Sequence, residues 1–188
     1  TECFVDELAA AAGKDPFEFR RDLIRNDRLK RVLVTAAEKA DWGKPLAKGH
    51  GRGIACFEGY GSCAAHVVEV SVSGDKIKLH RAVCVVDPGM ALNPSGVEAQ
   101  MQGALSDGLS TSLKAAITIK DGGVEQTSYF DYEWLRMDEV PQVEVHILQS
   151  GENPGGMGEV GYPSVAPAVA NAVAAATGKR VRKFPIKV

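Results

Sequence analysis

The stretch NPGGMGEVGYPSVAPAVANAVAAATG, residues 153–178, joins a glycine-rich loop to an apolar segment, and it decides how the last part of the chain folds. The apolar segment has a valine at every fourth residue, at Val165, Val169 and Val173. This spacing, with alanines between the valines, predicts an amphipathic helix that has Ser164 as its N-cap and ends at Gly178. Glycines allow a backbone to come close to a ligand. The loop therefore presents one carboxylate, that of Glu159, with little side-chain bulk around it.

The composition is typical of a globular domain and excludes several classes of function. The 188 residues are 45% apolar and 24% charged, and the formal net charge is −2. We expect no nucleic-acid partner, because the chain has no excess of basic residues. We expect no membrane span, because no apolar run approaches the roughly 20 residues that one requires. The first residue is Thr1 and no signal peptide precedes it, which predicts a fragment, a processed chain or a truncated chain.

The cysteines and histidines do not form a metal-binding pattern. No two of the four cysteines have the C-x-x-C spacing, so we expect free thiols, with no zinc or iron–sulfur site in this chain. The four histidines match no ligand motif either. We therefore predict no metal ligand among the protein's own side chains.

The pattern along the chain predicts an α+β fold in two parts. Residues 1–43 have helical periodicity and form the expected helical linker segment. The glycine-containing loop at 44–53 is the expected internal boundary, and residues 44–188 form the expected second domain. In that domain an alternating stretch at 66–72 and a turn at 73–75 predict a β-hairpin. We expect a mixed or antiparallel sheet with helices packed on it.

The middle of the chain contains a second informative helix. Asn93 and Pro94 are the predicted N-cap and first residue of a long helix with an apolar face. Gly103 and Gly108 lie inside it and cost about 1 kcal/mol each relative to alanine, which suggests close approach of a backbone or a cofactor. After the helix the sequence predicts short strands, including one at 126–132, and a half-buried strand at 142–147 that leads into the glycine loop.

Several motifs resemble the molybdenum hydroxylases, the family of xanthine oxidase and aldehyde oxidoreductase. They are GGMGEVG with the helix and ATGKRVRKFPI that follow it, NPSGVEAQMQGALSDGLS, FDYEWLRM and the N-terminal ELAAAAGKDPFEFRR. Together they resemble the C-terminal end of the molybdopterin-binding beta subunit of isoquinoline 1-oxidoreductase and its aldehyde dehydrogenase relatives. The resemblance covers nearly the whole chain but only the last part of a much longer family subunit. One departure is Val160, which stands where many relatives have proline next to the glutamate.

The resemblance implies roles for individual residues. Glu159 would be the active-site base beside the molybdenum. Gln100 would contact the pterin, since an amide both donates and accepts hydrogen bonds, and Gly103 would let the cofactor approach. Gly156 and Gly158 of the glycine loop are assigned to cofactor binding as well. The metal would be held by the sulfurs of the pterin, so no protein ligand is expected, and Tyr132 and Trp134 of FDYEWLRM are expected in the core.

The resemblance also implies an activity and partners. The activity would be oxidative hydroxylation of an aldehyde or an N-heterocycle with oxygen from water. The cofactor would be molybdopterin with molybdenum; the cytosine dinucleotide form is expected and the simple pterin is the alternative. Partners would be the remainder of the subunit and an iron–sulfur subunit with [2Fe–2S] clusters. The expected location is the cytoplasm, with the periplasm as the alternative.

Two other hypotheses stay open beside this one. In the first, the chain by itself is a structural or cofactor-docking module with no activity. An apolar interface, exposed because the other domains are missing, would then make it self-associate as a homodimer. The weaker hypothesis is a nicotinamide-dependent dehydrogenase, because Gly156, Gly158 and Gly161 satisfy the G-x-G-x-x-G pattern. The context opposes it, since Pro163 follows where the helix should already have begun and few residues remain for a nucleotide-binding unit.

Overall fold

A computed structural model describes all 188 residues and contains five helices and six strands. The helices are α1 (Glu2–Ala11), α2 (Pro16–Leu23), α3 (Asp27–Lys39), α4 (Pro94–Leu113) and α5 (Val165–Thr177). The strands are β1 (His50–Gly59), β2 (Ser62–Ser73), β3 (Lys76–Asp87), β4 (Ile119–Lys120), β5 (Gly123–Val124) and β6 (Gln142–Ile147). None of the helices combines the length and the apolar character that crossing a membrane requires.

The main sheet is mixed, which confirms the predicted α+β class. Its strand order is β1-β2-β3-β6, with the first three strands antiparallel and β6 parallel to β3. The predicted hairpin joins β2 to β3 through a turn in which Gly74 has a φ of 60°. β6 returns to the sheet after α4, beside the central strand β3. The strand therefore delivers the chain to the glycine loop at the edge where β3 also ends.

Helices cover both faces of this sheet. Val68 and Val70 of β2 belong to a core shared with α4 and α5. Val67 points to the opposite face, where it packs with Val32 and Leu33 of α3. Alternate side chains of a strand point to opposite faces, and β2 has buried apolar residues on both faces because helices cover both. The result is a three-layer arrangement with the sheet in the middle.

Strand β1 was not predicted, and its glycines explain why. The sequence predicts a loop at 44–53, whereas the strand begins at His50. A Cβ atom at Gly53 would lie 2.1 Å from the carbonyl oxygen of Ala168 and 2.2 Å from the amide nitrogen of Ala172. These atoms are the backbone of α5, which lies directly on β1. The glycines thus mark close packing of a helix on a strand rather than a turn.

The N-terminal helices are tied to the rest of the chain by packing and by charge. The side chain of Asp15 caps α2, and α3 forms one of the two cores with the sheet. Arg20, which is only 2% exposed, pairs with Glu2 and Asp6, and Asp6 also pairs with Arg180 near the C-terminus. The division between residues 43 and 44 stays a prediction about domain organisation.

The segment between α4 and β6 differs from the prediction. The predicted strand at 126–132 is wrong, since this segment forms turns and only the two short strands β4 and β5 precede it. Trp134 was expected in the core but is 38% exposed, and Phe130 is 99% exposed. The aromatic residues at 129, 130 and 132 favour a strand in the sequence. Trp134 packs against the ring of Tyr132, with centroids 5.6 Å apart, whereas Phe130 is almost fully exposed.

The contact between α5 and β1 predicts a large effect of one added methyl group. Gly53→Ala should lower the free energy of unfolding by about 1–3 kcal/mol or more, because the new Cβ atom would meet backbone that cannot move independently. Gly123→Ala in β5 is the matched control, since its Cβ atom would meet only the Lys120 oxygen at 3.7 Å. Urea denaturation of both variants measures the difference. Equal stability of the two would contradict this packing.

Candidate functional site

One wall of the candidate site is a polar face of α4. The side chain of Asn93 accepts a hydrogen bond from the amide of Gly96 and Pro94 is the first helical residue, both as predicted. Gln100, Gly103 and Asp107 follow at spacings of three and four residues, so they lie on one face of the helix. The opposite face is buried in the core. The core packing of α4 thereby fixes the direction of its polar face.

The opposite wall is the loop that follows β6, and the turn after β3 anchors it. The amide of Gly155 donates to the carbonyl of Pro88 at 2.8 Å, and the amide of Ser150 donates to the carbonyl of Gly89 at 3.1 Å. A Cβ atom at Gly89 would lie 2.3 Å from the carbonyl oxygen of Asn153. The turn and the loop are therefore in contact along their backbones.

A fully buried carboxylate holds this turn in place. Asp87 accepts hydrogen bonds from Arg28, Arg31, the amide of Gly89 and the hydroxyl of Ser150, at distances from 2.8 to 3.1 Å. Burial alone would raise the pKa of Asp87, but the hydrogen bonds from Arg28, Gly89 and Ser150 outweigh it and hold the pKa below its usual range. This network connects α3, the end of β3 and the start of the loop.

The third element of the site is the tight turn between β1 and β2. Only Tyr60 and Gly61 separate the two strands, and both have positive φ, of 57° and 76°. This is the left-handed geometry of a type I′ hairpin turn, in which a tyrosine costs about 1–2 kcal/mol relative to glycine. Gly155 and Gly156 of the loop lie against the turn. A Cβ atom at Gly155 would be 2.3 Å from the hydroxyl of Ser62.

These three elements line one cavity of about 510 Å³, which is open to solvent. The polar side chains on its wall are those of Tyr60, Gln100, Asp107, Glu159 and Tyr162. Gly103 and Gly158 line it between them. The cavity is thus lined by both a helix with a fixed polar face and the glycine loop.

Within the cavity the hydroxyl of Tyr60 donates a hydrogen bond of 2.9 Å to Oε2 of Glu159. This bond to the carboxylate raises the pKa of Tyr60 above its ordinary value. Oε1 of Glu159 accepts no hydrogen bond from a protein group. The carboxylate is therefore held on one side and open on the other.

Four of the five residues predicted from the sequence lie together. Glu159, Gln100, Gly103 and Gly158 line the same cavity. Gly156 does not line it; its amide donates to the carbonyl of Tyr60 at 2.7 Å. In this chain Gly156 therefore packs against the turn, and its assignment to the cofactor stays a prediction.

The start of α5 corrects another prediction. Ser164 occupies the N-cap position, but its side chain makes no capping hydrogen bond. Its hydroxyl instead lies 2.8 Å from Nδ1 of His66, a buried residue of β2. Burial lowers the pKa of His66 to about 4, so the pair is neutral and joins the helix to the sheet. Gly178 ends α5 with a φ of 73°, as predicted.

Three side chains of the cavity were missed in the sequence. Tyr60 was missed because β1 was not recognised, although G-Y-G between two strands is the signal of a tight turn. Asp107 is one turn beyond Gly103 on the same face of α4. Tyr162, whose hydroxyl pairs with Thr111 at 2.9 Å, directly follows the glycine loop.

The prediction that no side chain of this chain binds a metal stays a prediction. No group of three or more histidine, cysteine, aspartate or glutamate side chains is arranged to hold a metal ion. All four cysteines are free thiols.

Comparison with known proteins identifies the class. Residues 6–141 match the molybdopterin cofactor-binding domain family. The chain is 34% identical to the beta subunit of isoquinoline 1-oxidoreductase from Brevundimonas diminuta, with 99% of this chain and 25% of that protein aligned. It therefore belongs to the molybdenum hydroxylase family. The Glu159 loop lies beyond the residues that match the family domain, but within the alignment to this relative.

One further sequence relative and one solved structure show how much of a related protein this chain covers. The chain is also 34% identical to a nicotinate dehydrogenase component from Pseudomonas putida, over 98% of this chain and 17% of that protein. The structure of aldehyde oxidoreductase from Desulfovibrio gigas superposes with a TM-score of 0.81 over 97% of this chain and 39% of that one, at 12% identity. This superposition confirms the fold. The chain spans a quarter or less of the length of the two sequence relatives.

The Asp87 network predicts a pH-dependent contribution to stability. Because the folded pKa of Asp87 is depressed, its contribution is present above the ordinary aspartate pKa of about 4 and is lost as the pH falls through the folded pKa. Asp87→Asn should cost about 3 kcal/mol of unfolding free energy at pH 7 and less at pH 3.

Urea denaturation at the two pH values measures this difference. Asp121→Asn is the control, because Asp121 is exposed in a surface turn and asparagine tolerates its φ of 50°. A gap between wild type and Asp87→Asn that stays the same from pH 7 to pH 3 would contradict the assignment.

Proposed function

We propose that this chain forms one wall of the active site of a molybdenum hydroxylase that oxidises aldehydes or N-heterocycles with oxygen from water. The observation that carries the proposal is the shared cavity. Glu159 and Gln100, far apart in the sequence and located on different elements, line the same hollow. The names of the relatives support the substrate classes, since they include an isoquinoline oxidoreductase, a nicotinate dehydrogenase and an aldehyde oxidoreductase.

The donor set of the cavity fits a pterin. The amide of Gln100 makes no hydrogen bond within the chain, so its donor and acceptor are both free for a pterin edge. A Cβ atom at Gly103 would meet nothing within 4 Å, and one at Gly158 would only reach the Gln100 amide at 4.0 Å. There is thus open space directly beside an unpaired polar group. We propose that these three residues contact molybdopterin, in its cytosine dinucleotide form.

The bound cofactor would supply the two-electron redox chemistry, while the protein supplies orientation and proton transfer. Glu159 would take the proton from the water-derived oxygen as that oxygen attacks the substrate carbon. The hydrogen bond from Tyr60 to Oε2 leaves Oε1 as the atom that accepts this proton. A positioned general base of this kind contributes about 10²–10⁴ in rate.

The partners of the proposed enzyme would complete the site and carry electrons away. We propose the remainder of the molybdopterin subunit as one partner and a subunit with [2Fe–2S] clusters as the electron acceptor. The exposed apolar side chains between α4 and β6, among them Tyr129, Phe130 and Met137, support a contact with further polypeptide. These side chains are each more than 90% exposed.

The same exposed side chains favour a second hypothesis. In it the chain is a non-catalytic docking module, inactive without the rest of the subunit and prone to form homodimers when isolated. The two hypotheses differ in what they ask of Glu159. A docking module needs only the fold around the cavity, whereas the catalytic hypothesis needs the carboxylate itself.

Replacement of Glu159 in the complete molybdenum-containing enzyme separates them. Glu159→Gln should lower kcat by at least about 10²-fold with unchanged molybdenum content, because the amide has the same shape but cannot take a proton. Steady-state kinetics and metal analysis of the purified complex measure both quantities. Glu152→Gln, an exposed acid of the same loop, is the control and should keep full activity. Full turnover by Glu159→Gln would favour the docking module.

A further inference from the structure

Tyr60 is the only residue of this chain whose side chain donates a hydrogen bond to the carboxylate of Glu159. Its hydroxyl donates to Oε2 at 2.9 Å, although the two residues lie on separate elements. The tyrosine is 59% exposed, so packing does not explain its presence. The nearest aromatic neighbour is Phe57, with ring centroids 6.4 Å apart. The hydrogen bond is therefore the main polar interaction that this side chain makes.

The backbone of Tyr60 is in an unfavourable conformation. Its φ of 57° belongs to the left-handed region, which a bulky aromatic residue rarely occupies. Asparagine or glycine would fit this position of a type I′ turn with less strain. Strained residues of this kind cluster at functional sites, where the surrounding structure holds them. The turn thus keeps a tyrosine where local energetics favours another residue.

The loop that carries Glu159 also holds the turn that carries Tyr60. The amide of Gly156 donates to the carbonyl of Tyr60 at 2.7 Å. A Cβ atom at Gly156 would lie 2.9 Å from the Cβ atom of Tyr60, which leaves no gap between the two segments. Gly156 is only three residues from Glu159. The donor and the acceptor are consequently fixed to each other by backbone contacts as well as by their own hydrogen bond.

We propose that Tyr60 is a positioning residue that fixes the orientation of the Glu159 carboxylate toward the cavity. The inference rests on the proposed role of Glu159 as the base. By occupying Oε2, the phenol restricts rotation of the carboxylate and presents Oε1 for proton transfer. A rigidly held base transfers a proton more efficiently than one that samples many orientations.

The state of the phenol agrees with this role. The bond to Glu159 raises the pKa of Tyr60, so its hydroxyl stays protonated and remains a donor throughout the neutral range. The other titratable side chains on the cavity wall are Asp107 of α4 and Tyr162 of the loop. Tyr162 is engaged with Thr111 rather than with the carboxylate. Of these side chains, only Tyr60 therefore forms a hydrogen bond with the Glu159 carboxylate.

The contact itself is tested without any cofactor, by pH titration of ¹³Cζ-labelled tyrosine in the 188-residue chain. The Tyr60 resonance, assigned as the one absent from Tyr60→Phe, should titrate above the ordinary tyrosine pKa of about 10. Glu159→Gln should move the Tyr60 titration down toward that ordinary value. A Tyr60 titration at the ordinary value, or no movement in Glu159→Gln, would overturn the proposal.

The role is tested by kinetics of the complete enzyme. Tyr60→Phe should lower kcat by about ten-fold or more, as expected for loss of one hydrogen bond to a charged group, with little change in KM. Tyr129→Phe is the matched control with the same chemical change and should be unaffected. Tyr60→Asn should also lose activity, yet its melting temperature should be equal or higher because asparagine suits the left-handed turn. An unchanged kcat in Tyr60→Phe would overturn the positioning role.

The outcomes distinguish this inference from the proposed function. If Glu159→Gln is inactive and Tyr60→Phe is fully active, Glu159 remains the base and the positioning role of Tyr60 is wrong. If Glu159→Gln is fully active, the base assignment fails and the positioning role fails with it. In that case the tyrosine titration can still show that the hydrogen bond exists. A fall in melting temperature of Tyr60→Asn that matches its loss of activity would indicate a purely structural role and would also overturn the inference.

Discussion

The site depends on close backbone contact between the glycine loop and two turns of the sheet. Side chains at Gly155 or Gly156 would collide with the β1–β2 turn, and one at Gly89 would collide with the loop. Because these positions have no Cβ atom, the loop lies directly on the ends of the strands. The loop backbone that carries Glu159 is therefore held by backbone contacts, while the hydroxyl of Tyr60 contacts the carboxylate itself.

Buried charged and polar side chains also hold the two ends of the segment that carries Glu159. Asp87 is fully buried and fastens the turn after β3 to α3 and to the loop. The neutral pair of His66 and Ser164 fastens the start of α5 to β2. Both networks lie outside the cavity, yet each connects to an end of the segment that carries Glu159. Stability and the proposed function are thus coupled through the loop rather than through the cavity wall.

Much of the fold followed from the sequence, while long-range contacts did not. Periodicity predicted α4, α5, the β2–β3 hairpin and β6, because each buries one face with a regular spacing. The glycines of β1 suggested a loop, since their partner, the backbone of α5, is more than one hundred residues away. The predicted strand at 126–132 failed for the opposite reason, because an aromatic residue such as Phe130 there is almost fully exposed. Glu159 and Gln100 were singled out through family resemblance; Tyr60 required the structure.

The central claim is that the open space beside Gly103 receives the cofactor. Gly103→Leu places a side chain in that space, and its Cβ atom would meet no atom of the chain within 4 Å. The direct measurement is the molybdenum and pterin content per complete subunit, with folding checked by thermal unfolding. The account predicts a folded subunit that has lost most of its molybdenum and pterin. A full complement of both in a normally folded Gly103→Leu subunit would contradict it.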